Sequence, residues 1–442
     1  MRPPALLIFI GFLPLPGIAH RMSVFSAQIE NAASSVPSGK TTFGELYSKL
    51  TVGAAVFFVT LEIVVLVHAG WPPAGKPWLD AEHYVFGRDF INTWMGGRSI
   101  FFGGPAPWFD LRVYNEAIRR VMGPEYPLVF WSYPPHVVLF AWPFGLLPYL
   151  PAYLAWCVIG ITVYLFVAKH SVPRERILFL AAAPSVAVCV FFGQNGFYTA
   201  ALLIGGLLSL DRRPILAGVL FGLLTIKPQM GLLLPVILLL ERRWVTIASA
   251  VATVAVLVTA TAMLFGWSVW LEFLQKVLPQ QRWLTEHGGD LLFALVGSVY
   301  FGARLVHLPQ GVDWALQWIA CAFALASVAW TYWCRRDPAL SFALFATATF
   351  LFTPYILSYD MVILGFVVAT LRGRSDNTPA DHWLLIAVWT LPITMMIAAV
   401  VKIPLAPIVL IAFACRLLWR LRYDARVVAA RPAEAAVAAA VA

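Results

Sequence analysis

The chain has 442 residues, 61% of them hydrophobic and only 12% charged, where a soluble domain carries about 25% charged residues. Its formal charge of +9 is not a nucleic-acid footprint, because the lysines and arginines stand in short clusters between apolar runs, as cytoplasmic loop anchors do. The five cysteines (Cys157, Cys189, Cys321, Cys334 and Cys415) show neither a CxxC nor metal spacing and read as small apolar residues. There is no GxGxxG, Walker loop, metal-ligand cluster or Ser/His/Asp arrangement. Soluble nucleotide chemistry is therefore not expected, nor is a cofactor or a nucleic-acid partner.

Residues 1–45 form a first segment. MRPPALLIFIGFLPLPGIAHRMS reads either as a weak signal peptide or as a mis-assigned start, and its prolines make it a poor helix. Residues 46–422 form one membrane domain. Apolar runs near 20 residues recur from about residue 51 to 419. They do not alternate as barrel strands would, so they are read as helices. The fold class expected is an all-α polytopic membrane protein with about 11–13 membrane helices. Residues 423–442 are an Ala-rich tail expected to be disordered or frayed.

Basic clusters mark one side of the membrane: Lys40 and Lys49, Arg174 and Arg176, Arg212 and Arg213, Arg242 and Arg243, Arg335 and Arg336, Arg372 and Arg374, then Arg416, Arg420 and Arg422. Each interval between clusters must hold an even number of crossings. Between Arg213 and Arg242 a hairpin has about 14 residues each way, or ~21 Å at 1.5 Å per residue, against a hydrocarbon layer of about 30 Å. Its tip, Lys227-Pro228-Gln229, is expected to sit below the outer surface or to require a thinned bilayer. The hairpin before it turns at Gly193-Gln194-Asn195-Gly196, and a later one at Thr353-Pro354-Tyr355 to Tyr359-Asp360. Two further segments, Trp71 to about Pro127 and about Gly266 to Asp313, mix tryptophan with charge and read as outer loops with interfacial helices. Residues 129–168 look like two spans broken at Pro148-Tyr149-Leu150-Pro151; parity admits only an odd number of crossings there, so either one piece is re-entrant or half-buried or Arg174 lies outside.

The polar tips are the candidate site. A charge at mid-membrane costs about 2.5–3.5 kcal/mol on insertion scales, so Lys227 needs a partner or a water-filled cavity. It either snorkels to the headgroups or docks an anion such as a lipid-linked phosphate, with Gln229 adding donors. Gln194 and Asn195 suit sugar hydroxyls, or else form an ordinary turn. Asp360, beside Tyr359, is a second polar candidate or a helix cap. In the first outer loop Arg88 and Asp89 lie in an aromatic, helix-forming stretch. Asp89 could act as general base or form a surface salt bridge. Asp80 and Glu82 are near rivals; Asp110 and Glu116 are more distant ones. Tyr133 and His136 lie in WSYPPHVVLF, where His136 reads as a packed residue.

Five of these pieces together resemble glycosyltransferase family 87. They are GRDF with the glycine-rich aromatic stretch after it (Gly87 to Gly104), YPP (Tyr133 to Pro135), GQNGFYTAALL (Gly193 to Leu203), RRPILAGVLFGLLTIKPQMGLLLP (Arg212 to Pro235) and TPYILSYD (Thr353 to Asp360). The resemblance implies a GT-C-like bundle with a large first extracytoplasmic loop. It implies transfer of a sugar, with mannose or another hexose as the family-weighted choice, from a polyprenyl-phosphate donor to an envelope glycolipid or glycan. The setting implied is the outer face of the bacterial plasma membrane, among membrane lipids. In such a site Asp89 would be the base, and Gln194, Asn195 and Lys227 would line the donor pocket. Arg88, Gln229, Tyr133, Tyr359 and Asp360 complete the expected substrate-binding set. This chain departs from some members in having Tyr359-Asp360 where they carry histidine. The alternative is a transporter or flippase of lipid-linked sugars using the same polar tips; such proteins often show inverted repeats, and none is visible here.

Overall fold

Half-length hairpins are what the arginine spacing dictates, and the computed structural model contains them. It describes residues 83–334 and 336–441, together with Gly53, Thr60 and Leu79. The N-terminal segment, most of the expected first span and the rivals Asp80 and Glu82 lie outside the described residues.

Helix α1 (Phe90–Ser99) opens the described part of the first outer loop. Helix α2 (Leu111–Met122) follows, capped by Asp110, whose carboxylate accepts from the backbone of Arg112 and Val113. An extended stretch then runs beside α2, held where Asn115 donates to the Val129 carbonyl and accepts from its N–H, both at 2.8 Å. The broken pair expected over 129–168 resolves into α3 (Val138–Gly145) and α4 (Tyr149–Ala168). Only α4 is long enough to cross a bilayer, which satisfies the parity. Helix α3 instead packs on α1. The crossing is so close that a Cβ on Gly97 would run into the Ala141 carbonyl and come within 2.9 Å of the Gly145 nitrogen.

Helices α5 (Ile177–Ala181) and α6 (Pro184–Phe192) belong to a segment bent by 45° at the Pro184 start, where proline takes the first helical position without losing a bond. Next come α7 (Gly196–Ser209), α8 (Pro214–Leu223), α9 (Leu234–Leu240) and the long α10 (Trp244–Phe265). Helices α11 (Ser268–Glu272) and α12 (Leu278–His287) are joined by a π turn, Phe273–Val277. Pro279, early in α12, supplies no N–H to an ordinary helical ladder there. Trp267, Leu271, Leu274, Leu278 and Trp283 are exposed along this stretch, as an interfacial helix requires.

The chain closes with α13 (Asp290–Leu295), α14 (Val299–Leu305), α15 (Val312–Trp333), α16 (Pro338–Phe352), α17 (Val362–Leu371), α18 (Pro379–Val400) and α19 (Leu405–Val441). The Ala-rich tail continues α19 as helix, where the sequence suggested disorder. Alanine is the best intrinsic helix former, and the helix continues past Pro432, which supplies no N–H to the ladder.

Among the described residues the regular elements are all helical, and four helices (α4, α10, α15, α18) are long and apolar enough to span, or five if the bent pair is one span. Five other apolar helices have only 10–17 residues. Full-length and shorter apolar helices together number nine, or ten with the bent pair, among the described residues, against the about 11–13 read from the whole sequence. Several of the basic clusters are held by acids or carbonyls of neighbouring segments. Arg374 bridges Asp337 and Asp376. Arg416 and Arg420 share Asp381 at 2.9 and 3.4 Å. Arg243 reaches Asp211 at 2.7 Å, and Arg176 donates to the Ala369 carbonyl.

Two apolar cores result. A large one fills the space between α6, α7, α16, α17 and α18. A second, aromatic one joins α1, α2, the extended stretch and α4, with Phe90, Trp94, Tyr114, Trp131 and Trp156 buried in it. The α1–α3 crossing holds this second core together. Gly97→Ala is expected to cost roughly 1–3 kcal/mol by overpacking, read as a lower thermal unfolding midpoint of the purified protein.

Candidate active site

The site is built on the Gly193-Gln194-Asn195-Gly196 turn between α6 and α7. Gly193 closes α6 with a φ of +64°, the left-handed conformation that glycine adopts without strain. A Cβ there would lie 2.5 Å from Phe90 Cβ and 3.1 Å from the Gly87 carbonyl oxygen. At Gly196 a Cβ would collide with the Tyr359 carbonyl and stand 3.1 Å from Cys189 Sγ. The two missing side chains therefore admit the Asp89 loop on one side of the turn and the Asp360 turn on the other. The Asp89 N–H donates to the Phe192 carbonyl at 2.9 Å, which ties the loop to the end of α6.

Gln194 then connects the parts. Its Nε2 donates to Asp89 Oδ2 at 2.8 Å, and its Oε1 accepts from the Tyr133 hydroxyl at 3.1 Å. Asn195 Oδ1 accepts from Lys227 Nζ at 3.4 Å. Lys227 forms an ion pair with Asp360 and stands 4.7 Å from the Tyr359 ring centroid. The second oxygen of Asp360 accepts from the Leu357 N–H at 3.1 Å. Asp360 is thus both a turn cap and the lysine's counter-ion. Lys227 is only 6% exposed and Asp360 0%, so the lysine does not snorkel.

The sequence reading left the lysine's anionic partner to a bound lipid. The structure supplies an internal one, which removes most of the cost of burying the cation. An ammonium has three N–H donors; Asp360 and Asn195 take two.

Asp89 is partly accessible, and Oδ1 has no hydrogen-bond partner among the described residues. Burial raises its carboxyl above the ordinary value, opposed by the Gln194 hydrogen bond and by the charges of Lys227 and Arg88. The Arg88 guanidinium lies over the rings of Tyr84 and Phe191, 4.7 and 5.5 Å from their centroids. The Gln229 carbonyl accepts from Thr353 Oγ1 at 3.5 Å, and among the described residues its side chain makes no hydrogen bond to the cluster. Of the rival acids, Asp110 is committed to capping α2, and its backbone bond from Val113 holds its carboxyl below the usual range. Glu116 lies 3.9 Å from Arg112 on the α2 surface. His136 is buried and stacked on Trp270, as a packed residue.

Three supports escaped the sequence reading. Tyr149, Tyr153 and Trp156 of α4 surround the Phe90 ring, with centroids 5.5, 5.8 and 5.9 Å away. Their polar ends hold backbone carbonyls: Tyr149 those of Phe86 and Gly87, Tyr153 that of Val190, Trp156 that of Gln194. The signal was present as aromatic residues at helical spacing on one face of a span.

Among the described residues no group of three His, Cys, Asp or Glu side chains is arranged to hold a metal. What the arrangement offers is an accessible carboxylate oxygen, a neutral amide relay and a sunken, internally paired ammonium, all in a helical membrane fold. That is a setting for moving a polar group at the membrane boundary. The model of glycosyltransferase family 87 matches residues 131–354, just over half of the chain, and the chain belongs to that family: it is a membrane glycosyltransferase. The match includes Tyr133, Gln194, Asn195, Lys227 and Gln229, while Asp89 precedes it and Tyr359 and Asp360 follow it. No curated protein and no solved structure matches the chain.

Removing one member of a buried ion pair strands the other. Lys227→Met is therefore expected to cost about 3–5 kcal/mol. The Lys227→Met/Asp360→Asn double variant should cost less than the two single variants added together, measured as the coupling term of a double-mutant unfolding cycle.

Proposed function

We propose that this glycosyltransferase moves a hexose, mannose in the first instance, from a polyprenyl-phosphate donor to an envelope glycolipid or glycan. Transfer takes place at the extracytoplasmic face of a bacterial plasma membrane, in a GT-C-like site with Asp89 as general base. The observation that supports this reading is the Gln194-Asn195 turn, where Gln194 bonds to the accessible Asp89 carboxylate and Asn195 to Lys227, itself paired with Asp360.

In the proposed reaction Asp89 Oδ1 takes the proton of the acceptor hydroxyl. The hydroxyl oxygen forms a bond to the anomeric carbon as the bond from that carbon to the phosphate oxygen breaks. The electron pair of the broken bond leaves with polyprenyl phosphate, and a single displacement inverts the anomeric configuration. The remaining N–H of Lys227, with the Arg88 charge nearby, is oriented before the reaction toward the oxygen that gains charge. Fixed donors of this kind stabilise a transition state without reorganising. Gln194 keeps Oδ2 occupied, so the reacting lone pair is that of Oδ1. The apolar faces of the half-length helices suit the prenyl chain.

Purified protein given radiolabelled polyprenyl-phosphate mannose and a panel of lipid and glycan acceptors should form a new glycosidic bond. Label that crosses the bilayer with no such bond would point instead to transport. Asp89→Asn should lower turnover about 10²–10⁴-fold with unfolding behaviour unchanged; turnover like that of the parent removes Asp89 from the role of base.

The same reading sets the pH dependence. A base works only unprotonated, and burial raises the Asp89 carboxyl, so the acid limb of kcat/KM should lie above the ordinary aspartate range near ~4. Gln194→Leu removes a donor that favours the carboxylate, so it should shift that limb to still higher pH. A profile superimposable on that of the parent would show that Gln194 does not act on the base.

A further inference from the structure

Tyr133 enters the site on the extended stretch that follows α2, and the protein alone fixes its place. Pro134 confines the residue before it to extended conformations, and Trp131 Nε1 donates to the Tyr133 carbonyl at 2.7 Å. The two rings stand edge to face, 6.0 Å between centroids at 83°. Only 8% of Tyr133 is exposed, and its hydroxyl donates inward to Gln194 Oε1 at 3.1 Å. The residue therefore offers little surface to a substrate.

That hydrogen bond carries a direction. A glutamine amide has nearly the same shape either way round, with donors at one end and an acceptor at the other. An ionised Asp89 only accepts, so Nε2 has to face it, and does at 2.8 Å. Oε1 then needs a donor, which the Tyr133 hydroxyl supplies. The Thr93 hydroxyl also bonds the phenol; by donating to the phenol oxygen it leaves the phenol's own proton for Gln194. Donation thus runs from Tyr133 to Gln194 to Asp89. Turning the amide over would set its carbonyl against Asp89 and its NH2 against the phenol proton. The turned amide suits only a protonated Asp89, whose O–H would donate to Oε1. Tyr133 opposes that arrangement and so disfavours protonation of the acid.

Other charges reach the same carboxyl. Lys227 on the α8–α9 tip and Arg88 on the Asp89 loop both favour its ionised form. The phenols of Tyr149 on α4 and of Tyr355 and Tyr359 on the later turn also feel its charge, and a phenol ordinarily keeps its proton to about pH 10. Asp360, the other acid acting on Tyr133, is paired with Lys227. None of these groups selects the orientation of the Gln194 amide as a hydrogen bond to Oε1 does.

We infer that Tyr133 is a positioning residue for Asp89: its hydroxyl holds the Gln194 amide with an N–H toward the carboxyl and so keeps Asp89 ionised to lower pH. The consequence for catalysis rests on the proposed role of Asp89 as base; the ionisation itself does not, and is measured separately.

The purified full chain in nanodiscs is titrated with pH and followed by infrared difference spectroscopy of the carboxylic-acid C=O band. The Asp89 contribution is the part absent from Asp89→Asn. Tyr133→Phe, which keeps the ring, should move its midpoint up by about half to one pH unit, the worth of one ordinary hydrogen bond. A ring-fluorinated tyrosine at the same position is a stronger donor of the same shape and should move the midpoint down; it decides the matter if Tyr133→Phe does not fold. Gln194→Leu should move the midpoint up, and adding Tyr133→Phe to it should move it no further, because the hydroxyl acts through the amide. The acid limb of kcat/KM should follow these shifts, with KM for the polyprenyl-phosphate donor unmoved. An unmoved midpoint, a Tyr133→Phe shift that adds in full to that of Gln194→Leu, or a raised KM with the limb in place overturns the inference. Midpoints that move as expected while Asp89→Asn still transfers sugar uphold the positioning of the carboxyl and reject its role as base.

Discussion

The site depends on one close approach, the packing of two other chain segments against the Gly193–Gly196 turn. Gly193 lies against the backbone and Cβ of the Asp89 loop, and Gly196 against the Tyr359 carbonyl. Between them, Gln194 and Asn195 point their amides in opposite directions, one to Asp89 and the other to Lys227. A methyl group at either glycine would force the neighbouring backbone outward. Hydrogen bonds weaken steeply outside their narrow range of distance, so a small displacement would disconnect the base from the lysine. The chemistry of the tips is secondary to the absence of those two side chains.

The half-length hairpin makes the lysine unusual. Had α8 and α9 been full spans, Lys227 would stand at the headgroups and its charge would be solvated. Short arms instead leave it 6% exposed beside a carboxylate 133 positions away in sequence. Removing either partner leaves a buried charge, so the pair also ties the α8–α9 hairpin to the start of α17. The charges of Lys227 and Arg88 both act on Asp89, and that of Lys227 is paired directly with Asp360.

Much of this was legible in the sequence, and the reasons are physical. Arginine spacing fixed the hairpin lengths, because the charge of a guanidinium cannot be left in hydrocarbon. The glycines around Gln194-Asn195 marked a turn, and their second use, as points of close approach, appears only once the partners are known. The Lys227–Asp360 pair was hidden for a different reason. Each residue was read against its own neighbours, where Lys227 needs an anion and Asp360 is a cap, and nothing in a single sequence links positions so far apart. In 129–168 apolarity suggested two spans while parity admitted one, and a half-buried piece was one way to reconcile them: α3 is as apolar as a span but too short for one, and packs against α1. Tyr149, Tyr153 and Trp156 were passed over because aromatic residues in a membrane helix ordinarily signal packing, which they also provide here.

The region shared with glycosyltransferase family 87 begins after α2 and ends just before the Asp360 turn, so it contains the amides and the lysine but neither carboxylate. Both acids are nonetheless positioned by matched residues. Asp89 is held by Gln194 and by the Phe192 carbonyl, and Asp360 by Lys227. The matched part thus acts as a template with two acid-shaped gaps, filled from the outer loop on one side and from the turn into α17 on the other. Such a scaffold keeps its amides and lysine on turns between helices while the two carboxylates come from segments outside the matched region.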